Sequence, residues 1–350
     1  MTEGIATETR GETKAQRRLS PALVLFFLSP MTAELLTGSA PPAEFFNPFS
    51  LLVLTALYGS GALLIRELAL RWRKGWPTIL MLGAAYGIVE EGLMVKSFFD
   101  PKWVDLGPLG VYGRWAEVNW VWSLGLTLFH AVWSIGIPIL LVTRMFPERA
   151  AEPWVGRRML RFLAGLMAVD VAFGFFALTP YRPPAIPYLM AGLTVIALYV
   201  LAHRLPVDFD AVRLDESAGD RPRTKRRFVG GFVGALAFFA LLWGIPNTGV
   251  RPELTMVLLA LLAAAVVIGL RYGGAPSRWA PRRQLALASG ALTFFIILAP
   301  LQQLDPAHAV ERRGMALVGL AMACLLVWLA WRTRNAQRGL AGMPEYDREE

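Results

Sequence analysis

Of the 350 residues, 55% are hydrophobic and 17% charged, with a mean hydropathy of +0.46. That is well short of the roughly 25% charge typical of soluble domains, which excludes a soluble enzyme core and a disordered chain. A single cysteine, Cys324, excludes a disulfide scaffold and, lying in an apolar run, reads as an inert buried thiol; the net charge of +9, from 35 Lys+Arg against 26 Asp+Glu, calls for an account by position.

The apolar residues gather into runs of about 18 to 25, the length that crosses a ~30 Å hydrocarbon core at ~1.5 Å per residue. These runs predict an all-α, polytopic transmembrane helical bundle. After a polar, disordered tail at 1–18, the expected spans are Leu19–Leu36, Pro48–Leu70, Trp76–Phe98, Val118–Met145, Met159–Leu178 and Ile186–Ala202. This six-span bundle (19–202) is followed by a charged linker at 203–227. A four-span apolar bundle (228–331) comprises Phe228–Ile245, Leu254–Leu270, Leu285–Leu301 and Met315–Trp331, ahead of a tail at 332–350. The count is about ten spans. The first run carries Pro30 and Glu34 with no small-residue cleavage site soon after it, so it reads as a retained helix and not a signal peptide. With the N-terminus inside, the inner connections and tails hold 27 of the 35 Lys and Arg, whereas the outer ones hold Lys102, Arg114, Arg182, Arg251, Arg312 and Arg313. This asymmetry predicts that both termini are cytoplasmic, and it makes the basic charge topological.

An ionisable side chain inside a span costs about 2.5 to 3.5 kcal/mol, so each is a candidate functional group. In chain order, Glu34 lies toward the outer end of span one. Arg66 and Glu67 lie near the inner end of span two, close enough to the interface to be solvated. Span three has small residues Gly83, Ala84, Ala85 and Gly87, then the adjacent carboxylates Glu90 and Glu91. Two carboxylates at that depth cannot both ionise cheaply, which places a proton donor beside an acceptor, as acid–base chemistry requires. The plainer reading pairs one of them with Lys96 or Arg66.

The outer connection from Asp100 to Asn119 carries Trp103, Tyr112 and Trp115 among glycines, which reads as an interfacial aromatic anchor or as a cap. On span four, Ser123, Thr127, His130 and Ser134 are spaced 4, 3 and 4 and form one polar stripe. At ~1.5 Å per residue, Glu90 and Glu91 lie ~21 Å from the inner edge and His130 ~18 Å from the outer edge, so carboxylate and imidazole are expected to approach directly or through one water. Asp170 falls near the middle of span five, with Gly174 one turn on. His203 and His308 lie at membrane edges or in loops. The last four spans contain no interior ionisable group apart from Cys324 and read as scaffold.

The segment Ala84 to Pro138 resembles the CPBP family of intramembrane proteases, the CAAX-protease and bacteriocin-processing family. That family carries EExxxR on one helix and FxxxH on a following helix. Here Glu90 and Glu91 match the diglutamate, with Val95 at the arginine position and Lys96 next; His130 matches the histidine, with Leu126 at the phenylalanine position. A third histidine motif is not found. The resemblance implies that Glu90 or Glu91 activates a water, that His130 orients it or stabilises the oxyanion, and that the substrate is a peptide bond near the membrane. Glu34, Lys96, Ser123, Thr127, Ser134 and Asp170 form the supporting polar cluster.

The same buried carboxylates and histidine would serve a proton-coupled transporter, with Pro30, Pro138 and the glycines of Tyr58 to Gly61 loosening helices. A third reading is a non-catalytic assembly partner. Phosphate-binding loops, zinc spacings, HExxH and GxSxG do not occur, and one histidine with two or three carboxylates could bind a metal but is too sparse a ligand set to assert one, so no cofactor and no metal site is predicted. The expected partners are the lipid bilayer and a membrane-anchored peptide or protein, not nucleic acid. The expected location is the cell membrane, as a multi-pass protein of a bacterial plasma membrane.

Overall fold

A computed structural model describes residues 19–206, 220–272, 281–306 and 310–341. Residues 1–18, the greater part of the charged linker, His308 and the end of the C-terminal tail lie outside the described residues. The ten apolar runs correspond to ten helices. They are α1 (Pro21–Leu35), α2 (Pro48–Arg71), α3 (Trp76–Ile88 continuing as Val89–Met94), α4 (Trp120–Met145) and α5 (Arg157–Leu178). Next come α6 (Ala185–Arg204), α7 (Asp220–Phe239 continuing as Ala240–Gly244), α8 (Pro252–Tyr272), α9 (Pro281–Gln303) and α10 (Met315–Ala341). Among the described residues, seven are long and apolar enough to cross a membrane: α2, α4, α5, α6, α7, α9 and α10. The apolar stretches of α1 and α8 are shorter, and that of α3 is interrupted by Glu90 and Glu91. The protein is thus an all-α helical membrane bundle.

Two helices overrun the apolar runs that predicted them. α7 begins at Asp220, inside the charged linker, and α10 continues to Ala341, beyond Trp331. Arg and Lys propagate a helix nearly as well as Leu, and Arg332 is further held by donating from Nη1 to the Met145 carbonyl at 2.5 Å.

Several helices contain a widened turn in which the backbone N–H reaches the fifth carbonyl back. Such segments are Met31–Leu35, Thr55–Gly59, Val89–Met94, His130–Gly136, Gly174–Leu178 and Ala240–Gly244. Bonds from Leu36 N to Met31 O and from Val95 N to Glu90 O, both 2.9 Å, mark the ends of two of them. Widened turns of this kind are rare and concentrate at functional sites. Here four of them carry Glu34, Tyr58, Glu90 with Glu91, and His130.

Packing explains how these four helices meet. Pro138 has no N–H to give the Ser134 carbonyl one turn back. Ser29 of α1 takes that carbonyl instead, donating from Oγ at 2.7 Å, and ties α1 to α4 at the level of His130. Between α3 and α4 two glycines allow near contact of backbones. A Cβ at Gly83 would lie 2.9 Å from Ala131 Cα, and one at Gly87 2.8 Å from His130 Cβ. An adjoining face of α4 carries Phe129 and Trp133 into a cluster with Phe238, Phe239 and Phe295, which joins the first six helices to the last four. One face of α4 is therefore apolar glue and the one beside it presents the histidine.

The connection between α3 and α4 is a folded cap. Leu106, Leu109 and Val118 are buried beneath it. Two short strands, β1 (Arg114–Trp115) and β2 (Val118–Asn119), pair antiparallel. Asn119 caps α4 by accepting from Trp122 N at 2.9 Å and donates to the Leu109 carbonyl. Trp115 and Trp120 remain exposed on its rim, where aromatic anchors sit. The segment is therefore a folded cap with exposed aromatic residues on its rim.

Candidate functional site

Glu90 and Glu91 are adjacent in the widened end of α3, and their side chains converge on the two edges of one imidazole. His130 Nδ1 lies 3.3 Å from Glu90 Oε2 and Nε2 lies 3.2 Å from Glu91 Oε1. Ser134 Oγ also approaches Nδ1, at 2.9 Å. His130 is 1% exposed, and Glu90 and Glu91 are 7% and 8% exposed, so these charges are largely out of water. Doubly protonated, the imidazole donates from both nitrogens and balances one of the two carboxylates.

The remaining oxygens are held by neighbours. The Tyr58 hydroxyl bonds both Glu90 Oε1 and Glu34 Oε1, bridging α1, α2 and α3. A phenol has one proton to donate, so it can donate to only one of these two carboxylates at a time. On the other flank Ser97 Oγ donates to Glu91 Oε2 and accepts from Trp122 Nε1 at 3.0 Å. A continuous chain of polar contacts therefore runs Glu34, Tyr58, Glu90, His130, Glu91, Ser97, Trp122. The rings of Tyr58 and Tyr86 each lie 6.1 Å from that of His130, centroid to centroid.

Ser97 reaches back to Glu91 because the chain reverses at Lys96, whose φ is +66°. Left-handed backbone is unusual outside glycine, and the Lys96 side chain accounts for its retention. Its ammonium is buried against the end of α5, donating to Phe175 O at 2.6 Å and Thr179 O at 3.2 Å and lying 4.6 Å from the Phe175 ring centroid. A cation on the open carbonyls of a helix C-terminus is favourable. Lys96 thus serves α5 and does not pair with either glutamate.

The other sequence-expected members are placed as follows. Glu34 and Ser134 join the cluster. Ser123 bonds its own helix, donating to Asn119 O at 2.6 Å, and Thr127 is half-buried on the same stripe. Asp170 is 7% exposed, and its Oδ2 has no hydrogen-bond partner among the described residues. Tyr58, Ser97 and Trp122 were not singled out as site residues. A hydroxyl-bearing aromatic at the middle of an apolar span was the available signal for Tyr58, whereas the contact of Ser97 depends on the reversal at Lys96. In the cap, outside the spans, burial pushes the Asp105 carboxyl above its usual value, with the charge of Glu91 adding to the effect. Asp105 also borders a recess of about 260 Å³ lined by Leu109, Leu242 and Trp243.

Two expectations are corrected away from this cluster. Glu67 and Arg66 are not solvated: their side chains are 0% and 5% exposed and bonded to each other at 2.6 Å. The connection from α4 to α5 folds over them, with Trp154 N donating to Glu67 at 2.8 Å and the Trp154 ring stacked 3.8 Å from the Arg66 guanidinium. Cys324 is exposed on the outer face of α10, because an apolar run does not distinguish lipid-facing from protein-facing positions.

Fold and site together define a polytopic helical membrane protein with a buried carboxylate–imidazole centre. The chain belongs to an uncharacterized membrane protein family, whose model matches residues 23–334. No curated protein and no solved structure matches the chain.

Proposed function

We propose that the protein is a membrane-embedded hydrolase of the glutamate-dependent type, acting on a peptide bond near the membrane. The observation that carries this reading is the clasp of one imidazole between adjacent glutamates on the next helix. Ser134 and Glu90 hold the Nδ1 edge, which leaves the Glu91 and Nε2 edge as the reacting one. A water placed there gives its proton to Glu91 as its oxygen attacks the carbonyl carbon. His130 stabilises the oxyanion, and Glu91 returns the proton to the departing amine. The order of the motifs, similar to that of the CPBP family, supports the same roles. We also infer location in a cell membrane with lipid on the outer faces of α5 and α6.

A second reading is proton-coupled transport, favoured by the Tyr58 hydroxyl that bridges carboxyl groups of two helices. The two readings separate when the full chain is purified into liposomes with membrane-anchored peptides, and cleavage and proton flux are measured in parallel. The hydrolase reading expects cleavage by the wild type that falls ~10² to 10⁴-fold in Glu91→Gln, since an amide cannot take the proton. Cleavage undiminished in Glu90→Gln, Glu91→Gln and His130→Ala overturns it. Substrate-dependent proton flux without cleavage assigns the centre to transport.

A further inference from the structure

We infer that Glu90, Glu91 and His130 form a three-ligand site for a divalent transition metal of the zinc class. Each of the three offers one donor atom, and these donors all lie within 4.8 Å of one another. Zinc is held by just such nitrogen and carboxylate-oxygen ligands at ~2.0 to 2.2 Å, so the donors need to close to roughly 3.4 Å apart at the tetrahedral angle. Glu91 Oε1 already lies 3.2 Å from Nε2, so binding there requires Glu90 Oε2, now 3.3 Å from Nδ1, to swing toward the Nε2 edge about its Tyr58 contact.

Proximity alone would describe any acidic cluster; the surrounding bonds are what distinguish this one. Metal ligands are oriented by partners on their non-ligating atoms, and each residue here has such a partner. Tyr58 fixes Glu90 Oε1, Ser97 with Trp122 behind it fixes Glu91 Oε2, and Ser134 fixes His130 Nδ1. That leaves Glu90 Oε2, Glu91 Oε1 and His130 Nε2, one donor atom per residue. Independently, Glu90 Oε2 is buried, on a residue 7% exposed, and accepts no well-directed hydrogen bond among the described residues. Two carboxylates, a neutral imidazole and a dication sum to zero charge, the favoured total in a dry site. Three protein ligands leave a fourth position open, the pattern of catalytic and not structural zinc. The sequence offers this ligand set but not its convergence, because two of the ligands are sequence neighbours and the third lies on another helix, outside every familiar zinc spacing.

The inference uses the same centre as the hydrolytic reading but not its reaction, so its test involves no substrate. The full chain, purified in detergent and stripped with chelator, is loaded with Zn²⁺ or Co²⁺ and desalted. Metal per chain is then measured by mass spectrometry, and the cobalt form by its visible spectrum. The expected result is one metal per chain, a tetrahedral cobalt spectrum, and loss of both in His130→Ala and Glu91→Gln. Ser97→Ala keeps every ligand and loosens only the orienting bond. It should weaken affinity ~10 to 100-fold and serves as the deciding variant if the ligand variants do not stay monodisperse. No retained metal in the wild type overturns the inference, as does equal retention in the folded variants. Because metal retention is read without substrate, its failure is distinguishable from a failure of the hydrolytic reading.

Discussion

Replacing Gly87 with alanine tests whether helix contact sets the geometry of the centre. The added Cβ would lie 2.8 Å from His130 Cβ, against 3.4 Å for the shortest ordinary contact. The helices must then part by ~0.6 Å, because a close-packed interior has no void to absorb the methyl. Taken along the carboxylate–imidazole direction, that shift stretches the contacts of 3.2 and 3.3 Å to roughly 3.8 and 3.9 Å, beyond hydrogen-bond reach. Overpacking of this kind costs about 1 to 3 kcal/mol, and a displacement approaching 1 Å at a reacting centre costs on the order of 10²-fold in rate. Thermal unfolding in nanodiscs and the cleavage assay measure the two effects separately. Gly165 of α5, with nothing within 4 Å of an added Cβ, provides the comparison. There alanine should leave activity intact and stabilise the helix by up to ~1 kcal/mol. A Gly87→Ala protein with wild-type melting temperature and wild-type turnover would refute the claim that close approach of α3 and α4 positions His130.

Tyr58→Phe removes the hydroxyl shared by Glu34 and Glu90. It should destabilise the chain by about 1 to 3 kcal/mol, the cost of leaving buried polar partners unmet, and thermal unfolding reads the change. Glu67→Ala leaves Arg66 buried without its carboxylate and should cost about 3 to 5 kcal/mol, seen as a fall in melting temperature while the distant Glu90–His130 contact is retained. For topology, single cysteines introduced in the cap near Trp115 should react with a membrane-impermeant reagent from outside in a Cys324→Ser background. Cysteines at either tail should react only from the cytoplasm; labelling of the cap from inside would reverse the orientation.

The order of the helices along the chain was legible in the sequence because one force dominates it. A run long enough to span hydrocarbon has few other fates, so all ten helices fall on apolar runs. The expense of burying Glu90, Glu91 and His130 likewise marked those residues, and their similar depth in the membrane follows from helix rise alone. What could not be read is what depends on lateral neighbours. The meeting of Glu34 with Glu90 runs through Tyr58 on a third helix, and the Ser29 bond exists because Pro138 frees a carbonyl on α4. Lys96 illustrates the limit best: it follows the diglutamate closely in sequence, yet its chain reversal sends the ammonium to α5 and Ser97 to Glu91. Cys324 and Glu67 were misjudged for a related reason, since hydropathy gives depth and not facing.

The central claim, that Glu91 and His130 drive water onto a peptide carbonyl, is tested most directly by cleavage of a membrane-anchored peptide in ¹⁸O-labelled water. Mass spectrometry of the new carboxyl terminus is the readout. The account predicts one ¹⁸O in the product from a single wild-type turnover, and product formation suppressed ~10² to 10⁴-fold in Glu91→Gln. Labelled product forming at the wild-type rate in Glu91→Gln, or a folded wild type that releases no product from any anchored peptide, would contradict it.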